Sequence, residues 1–510
     1  MSQRFSLNVN GRSHNVDVDP DMPLLYALRN DFGLNNPPSE LASYIAVNAD
    51  GTVSAFFGKM DMGQGLFVAI AQMVAEELDV PSASVKVIMG DTATSVNQGG
   101  ASGSTGIQFG GKQMRAAAAE ARRVLVEMAA QKLALPADQL TVTDGVVHAK
   151  SDIPKKASYA ELIGGRYFNV QLDWNKEIGN ALYAPGKAQP KRPSDHKIVG
   201  RPIKRQDVAP KVFCEQDFVT DIKVPGMVHG RIIRPAVAGA LPIKVDESSI
   251  KDIPGVKAII AFVAPQSLQN GKDPFVFQGL NPGGPEGAFS YTIPNLLIDH
   301  AMRNPHIPPH FWRGVNNNQN ALYLECFMDE LAHAAGEDPL EFRRKLMANH
   351  SKHLAVLNAV AERAGWGKPA PQGVFRGLSQ HMGYGSYVAA CAEVSVSANG
   401  GVKIHRIVAA TDPGHAVNPA QIERQIAGSF VYGLSALFYQ ECTVRTAASN
   451  KRTLIVTTRC ASTRCRRSSR SSCRPVVSGA VWASRRFSWP RLPYSTPSSL
   501  RPASASGRSH

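Results

Sequence analysis

The sequence predicts a mixed α+β chain of several domains that ends in a tail of a different kind. Three observations carry this reading. Apolar alternation at period two, as in Phe5, Leu7 and Val9, shares the chain with helical spacing, as in Leu66, Ile70, Val74 and Leu78. Twice a strand-like run passes through a glycine-rich turn into a helical period, at residues 60–65 and again at 97–106. Beyond about residue 450, serine, arginine and proline dominate and no apolar period persists, which reads as a disordered tail.

Composition bounds the classes. With 510 residues there is room for roughly two to four domains and a large core. No run of about eighteen apolar residues exists, so no membrane-crossing helix is expected. Residues 1–6 lack the apolar centre of a secretory leader, and the expected location is cytoplasmic. The net charge of +15 suggests a nucleic-acid partner until it is mapped. Residues 451–510 hold 13 Lys or Arg and no Asp or Glu, leaving 43 basic against 41 acidic residues in 1–450, a net of +2. The body is near neutral, so no nucleic-acid partner is expected for it. Cys214, Cys326, Cys391 and Cys442 are scattered, as suits reduced thiols. Cys460, Cys465 and Cys473 match no zinc spacing, so no side-chain metal site is expected.

The elements follow in order. Residues 1–35 read as a small β unit, with a hairpin turn at Asn10-Gly11, a return strand at 14–18 and a short helix at 24–32. From about Leu41 a second domain begins. It has a strand at 52–57, the corner Met60-Asp61-Met62-Gly63-Gln64-Gly65, a helix at 66–78 and a strand at 84–89. The small-residue loop 97–106 then opens on a helix at 107–133, followed by a hairpin at 140–147 around Asp144-Gly145. A glycine turn at a helix N-terminus leaves backbone N–H groups facing open space, which makes an anion site, and serine and threonine hydroxyls in the second loop add donors. An ordinary strand–turn–helix corner and a solvated loop are the plain alternatives.

Residues 191–262 read as a separate unit of several short strands punctuated by glycine and proline, at 198–202, 220–222, 224–230 and 253–256. Residues 273–450 resume the mixed pattern. They carry a helix at 321–335, a helix start at Asp338-Pro339, strands at 388–396 and 404–409, and a helix at 419–439.

Four motifs in order carry a resemblance: GKMDMGQG (58–65), NQGGASGSTG (97–106), FWRGVNNNQNALYLECFMDELAHAAGEDPLEFRRKLM (311–347) and TDPGHAVNPAQIERQIAGSFVYGL (411–434). Residues 41–445 resemble the molybdopterin-binding large subunit of the xanthine dehydrogenase/aldehyde oxidase superfamily. The nearest branch is that of isoquinoline 1-oxidoreductase beta subunits and nicotinate dehydrogenases. Residues 1–36 resemble a truncated β-grasp start of the plant-type [2Fe–2S] ferredoxin-like domain, and 191–262 resemble the inserted α/β hammerhead. The resemblance implies molybdopterin-binding α/β parts at 37–190 and 263–450, with 451–510 as the basic tail.

It also implies a cofactor and a reaction. The cofactor is molybdenum-molybdopterin, in its plain or cytosine dinucleotide form. Gly63, Gln64 and Gly65, then Gly100, Ala101, Ser102 and Ser104, match the cofactor cradle, Arg313 matches an arginine near the metal, and Gln425 matches a pterin contact. Taken singly, Gln64 could cap a helix, Arg313 could pair with a surface acid, and Gln425 could lie on a solvated face. The family reaction hydroxylates a carbon beside a ring nitrogen or in an aldehyde, with oxygen from water, a glutamate as base, and electrons leaving through [2Fe–2S] clusters. The implied partners are a [2Fe–2S] small subunit and a cytochrome c acceptor, with inner-membrane association through them.

This chain departs from the family at three places. No cluster cysteines follow the N-terminal unit, since Cys214 is the first cysteine. A block containing the glycine-rich G-G-G-F-G motif is missing between Val256 and Lys272. No Glu or Asp follows Glu441, so the catalytic glutamate of the family's G-[LV]-G-E-P motif is absent and no residue is assigned as catalytic. The codons of residues 481–485 allow Leu-Gly-Glu-Pro in a shifted frame, so the tail from about 443–451 onward is expected to be a frameshifted product. The resulting expectation is a molybdenum hydroxylase large subunit that is defective in turnover. The competing expectation is a non-catalytic binding protein whose basic tail contacts nucleic acid or membrane. Irregular, serine-rich spacing in the tail argues against it.

Overall fold

The computed structural model describes residues 3–9, 12–18, 38–91, 94–151, 154–219, 221–227, 276–281, 287–299, 312–439, 444–445, 448–449 and 481–485. The chain divides into two compact units, Met1–Val212 with His415–Ile422, and Phe213–Gly414 with Glu423–His510. Among the described residues no helix is long and apolar enough to cross a membrane.

The first unit opens with an antiparallel pair, β1 (Gln3–Val9) and β2 (Arg12–Val18), in the register Gln3↔Val18 to Val9↔Arg12. The expected helix at 24–32 lies outside the described residues. A three-stranded sheet follows, ordered β3 (Ile45–Val47), β4 (Val53–Phe57), β5 (Val85–Met89), with β3 antiparallel and β5 parallel to β4. Helix α1 (Leu66–Leu78) makes the crossover between the parallel strands, which antiparallel hairpins do not need. Its apolar face, with Ile70, Val74 and Leu78, joins the core beneath Ile45, Val53, Ala55 and Phe57. Helix α2 (Lys112–Leu133) adds a seam of alanines, Ala117, Ala118, Ala121 and Ala129. A meander of β6 (Leu140–Thr143), β7 (Val146–Ala149) and β8 (Lys156–Ser158) leads into α3 (Tyr159–Ile163), which Ser158 and Glu161 start with a capping box.

Helix α1 is buried on its polar side too. The Glu76 carboxylate accepts from three successive backbone N–H groups, Lys197 at 2.9 Å, Ile198 at 2.6 Å and Val199 at 2.8 Å. Gln72 donates to the carbonyls of Ile198, Arg201 and Val417 and accepts from the Asn418 amide. These bonds explain a departure from the sequence reading. Residues 191–227 hold no strand among the described residues, only single turns and the short α4 (Val208–Val212), and at 197–201 this is because the backbone groups are spent on α1. Residues 228–262, the remainder of the expected hammerhead, lie outside the described residues.

The second unit is built on a sheet. Helix α5 (Asn317–Ala334) is followed by α6 (Pro339–Leu346), whose N-cap Asp338 accepts from Leu340 N and Glu341 N, and by α7 (Ser351–Ala364). Strands β9 (Phe375–Gly383), β10 (Ser386–Val396) and β11 (Val402–Asp412) pair antiparallel. Alternate residues Tyr387, Ala389 and Cys391 share a core with Val356, Leu357, Val360 and Ala361 of α7. Helix α8 (Pro419–Tyr439) matches the expected span, although its first turn is grouped with the first unit. A two-residue pair, β12 (Val444–Arg445) and β13 (Ala448–Ser449), follows, and β14 (Val481–Arg485) lies antiparallel to β11. The rest of the expected disordered tail lies outside the described residues.

Candidate cofactor site

The two glycine corners meet in the first unit. The β4 strand runs to Gly58, whose N–H donates to Gln98 Oε1 at 2.9 Å. The next residue, Lys59, is fully buried, and its Nζ reaches Gly100 O at 2.9 Å, Thr105 Oγ1 at 3.4 Å and Asn180 Oδ1 at 2.6 Å. None of these partners is a carboxylate, and burial pushes the ammonium pKa down to about 8. Thr105 pins the same loop by donating to Gly100 O at 3.0 Å and Ser102 O at 2.9 Å. The Leu66 side chain closes the other edge. A Cβ on Gly106 would lie 2.7 Å from Leu66 Cδ2, so glycine there is a packing requirement.

The first corner is not the anion site its glycines suggest. Asp61 accepts from Gly63 N at 2.8 Å and Gly65 N at 3.2 Å through Oδ1, and from Phe67 N at 3.1 Å through Oδ2. Met62 N donates to Gln64 Oε1 at 2.6 Å. The N–H groups of Gly63, Gly65 and Phe67 are therefore taken by the chain's own carboxylate, which also places negative charge where an anion would sit. What the glycines provide is shape. Gly63 and Gly65 have φ of +99° and +88°, and a Cβ on Gly63 would meet nothing within 4 Å.

The second corner is open. Ser102 and Ser104 are exposed and Ala101 is partly so. A Cβ on Gly103 would also meet nothing within 4 Å, and Ser104 itself takes a left-handed φ of +60°. The loop enters α2 through a π-helical turn at Gly106–Gly111, five residues later than the sequence places a regular helix. Such wide turns gather at functional sites, and here glycines let Phe57 and Met73 pack against it.

Two buried amides beside these corners lack partners. Gln98 and Gln421 are 1% and 7% exposed, and the Nε2 of each has no hydrogen bond. Gln421 lies against Gly65, where a Cβ would come 3.1 Å from its Oε1. Buried polar groups are normally satisfied, so this is where a ligand rich in acceptors fits.

Arg313 and Gln425 belong to the second unit. Arg313 is exposed and its guanidinium lies 5.1 Å from the Tyr432 ring centroid, while Trp312 stacks on the same ring at 5.1 Å and 24°. Gln425 is half-buried on α8 seven residues before Tyr432, so both project from nearly the same face of that helix. Sequence reasoning missed Lys59, Asp61, Gln98, Asn180 and Gln421. The pattern Asp-x-Gly at 61–63 is an Asx-turn signal that could have revealed Asp61. Lys59 and the two amides act through burial, which no local pattern reports.

The model of the molybdopterin cofactor-binding domain family matches residues 23–198 and 327–455, and the chain belongs to that family. It is 39% identical over 229 residues to a nicotinate dehydrogenase chain of Pseudomonas putida, the second subunit of that enzyme, covering 43% of this chain and 18% of that one. It is 29% identical over 248 residues to the beta chain of isoquinoline 1-oxidoreductase from Brevundimonas diminuta, covering 43% and 31%. This chain thus spans less than a third of the length of either relative. Among solved structures, CO dehydrogenase from Oligotropha carboxidovorans is 27% identical, with a TM-score of 0.21 over 23% of this chain and 15% of that one.

Proposed function

We propose that this chain is the pterin-holding part of a molybdenum hydroxylase large subunit whose family acts on N-heteroaromatic compounds or aldehydes. The observation that carries the proposal is the clasp of two glycine corners by Lys59, with exposed Ser102 and Ser104 above it. When bound, the molybdenum–pterin group, in its plain or cytosine dinucleotide form, supplies the oxygen-transfer and two-electron chemistry. The chain's own residues bind and orient it. Gly63, Gln64 and Gly65 give it room, while Gly100, Ala101, Ser102 and Ser104 supply its polar cradle. Because Asp61 already fills the first corner, we place the phosphate of the cofactor at the second, near the Lys59 ammonium. Arg313 and Gln425 are proposed as cofactor contacts on the resemblance alone.

Both relatives are subunits of larger enzymes, which supports partner subunits here, with [2Fe–2S] clusters and a cytochrome c acceptor as the family pattern. The chain is further proposed not to complete turnover, because no Glu or Asp follows Glu441 to act as base. A missing general base lowers a rate by about 10²–10⁴-fold. Assays of the purified chain with nicotinate, isoquinoline and an aldehyde, using an artificial electron acceptor, are expected to give no hydroxylated product. Product above the background of an empty purification overturns that part. The nucleotide sequence beyond codon 443 checks its cause, which requires an uninterrupted shifted frame encoding Gly-Glu-Pro.

A further inference from the structure

We infer that Gln98, held at Gly58, and Gln421, lying against Gly65, are two further cofactor-contacting residues. The inference rests on the proposed pterin site and adds to it the polarity of two contacts. Gln98 is held by the Gly58 N–H, which donates to its Oε1 at 2.9 Å. That bond fixes the amide: a flipped side chain would turn its NH₂ group toward another N–H donor. Its Nε2 is therefore a donor by construction. It is buried and without a partner, in a residue 1% exposed. A ligand atom meeting it has to be an acceptor, which means a ring carbonyl, a ring nitrogen or a phosphate oxygen.

Gln421 reaches the site from a distant part of the sequence. Its backbone is fixed by Asn418, whose carbonyl and side-chain oxygen accept from Gln421 N at 3.1 and 3.3 Å. Asn418 is in turn tied to Gln72 at 2.7 Å and to Ile203 O at 3.0 Å. The first turn of α8 is thereby anchored in the first unit, and the Gln421 side chain lies along the Gly65 backbone. Whichever way its amide is turned, one buried polar atom is left without a protein partner.

A buried amide kept for packing alone is replaced by an apolar side chain of similar size at little or no loss. One kept for a ligand makes the opposite pattern, with stability held and the ligand lost. Gln421→Met removes the unpartnered atom and keeps the volume. Gln98→Glu keeps an acceptor for Gly58 N–H and removes the donor. The readout is pterin released by acid oxidation and measured by fluorescence per mole of purified full-length chain, beside the melting temperature of each variant. We expect Gln421→Met to melt at or above the wild-type temperature and to retain pterin with roughly tenfold lower affinity, read as faster loss on dialysis. Gln98→Glu is expected to lose pterin at least as fast. Wild-type retention in both variants overturns this inference and leaves the pterin site standing. A wild-type chain that releases no pterin overturns the site and the inference together.

Discussion

Two buried charges, Glu325 in the second unit and Lys59 in the first, are surrounded in opposite ways. In the second unit Glu325 is buried and accepts from Tyr291 Oη at 2.6 Å, Arg343 Nε at 3.2 Å, Gln380 N at 3.0 Å and Gln380 Nε2 at 3.1 Å. Arg343 is fully buried and also reaches Asp329 at 2.6 Å and the carbonyls of Glu325 and Pro339. Burial raises the Glu325 pKa, while Arg343 and the hydrogen bonds act against that rise. The network closes on itself. In the first unit Lys59 is equally buried but bonds only to neutral oxygens of a loop, and the amides of Gln98 and Gln421 beside it stay open. A closed network holds helices together, whereas the open amides are the atoms that the proposed cofactor would meet.

Substitutions should separate the two. Glu325→Ala leaves the buried Arg343 guanidinium with Asp329 as its one remaining carboxylate and takes the acceptor from Tyr291 Oη and Gln380 N, and a loss of about 3–5 kcal/mol in unfolding free energy is expected by chemical denaturation. A loss below about 1 kcal/mol would mean that the pair is not a structural clasp. His381 gives the next effect. Burial, aided by His353, pushes its pKa down to about 4 from the usual 6.5. The folded state therefore stays neutral while the unfolded state takes up a proton as pH falls below 6.5. Stability should drop by up to about 1.4 kcal/mol per pH unit from 6.5 to 4. His381→Gln should flatten that dependence, measured by denaturation across the range.

The smaller effect falls in the first unit. Lys59→Met leaves Asn180 Oδ1 without its donor and Gly100 O with the Thr105 hydroxyl alone, and a loss of about 1–3 kcal/mol is expected. The pH behaviour has its own sign. The folded Lys59 has a lowered pKa near 8, and the unfolded lysine holds its proton to near 10.5. Between those values the unfolded state binds more protons, so wild-type stability should rise relative to Lys59→Met as pH goes from 8 toward 10.5. A wild type that instead weakens across this window would show that the ammonium is a stabilising partner of the loop.

Much of the scaffold was readable from local pattern. Periodicity placed α1 and α8 at their observed spans, and Asp338-Pro339 marked the start of α6 as a cap followed by proline should. The glycine corners were readable as corners. The ligand-facing chemistry of the first was misread, because Asp61 fills the N–H groups that glycine spacing alone leaves free. The strand expected across 198–202 is absent because Glu76 and Gln72, far back in the chain, claim the backbone of 197–201. Helix α7 and strand β9 were not anticipated, although α7 carries an amphipathic period at Val356, Leu357, Val360, Ala361 and Ala364. Long-range polar contacts of this kind leave no mark on neighbouring residues.

The central claim is that the second corner, residues 100–105, holds the acceptor-rich part of a pterin cofactor. The most direct measurement is pterin and molybdenum per mole of purified full-length chain, wild type against Ser102→Asp. Ser102 is exposed, so the added carboxylate should leave the fold intact while repelling a phosphate from the cradle. The expected result is pterin bound by the wild type and largely lost from the variant at an unchanged melting temperature. Equal pterin in both proteins, or none in either, would contradict the claim.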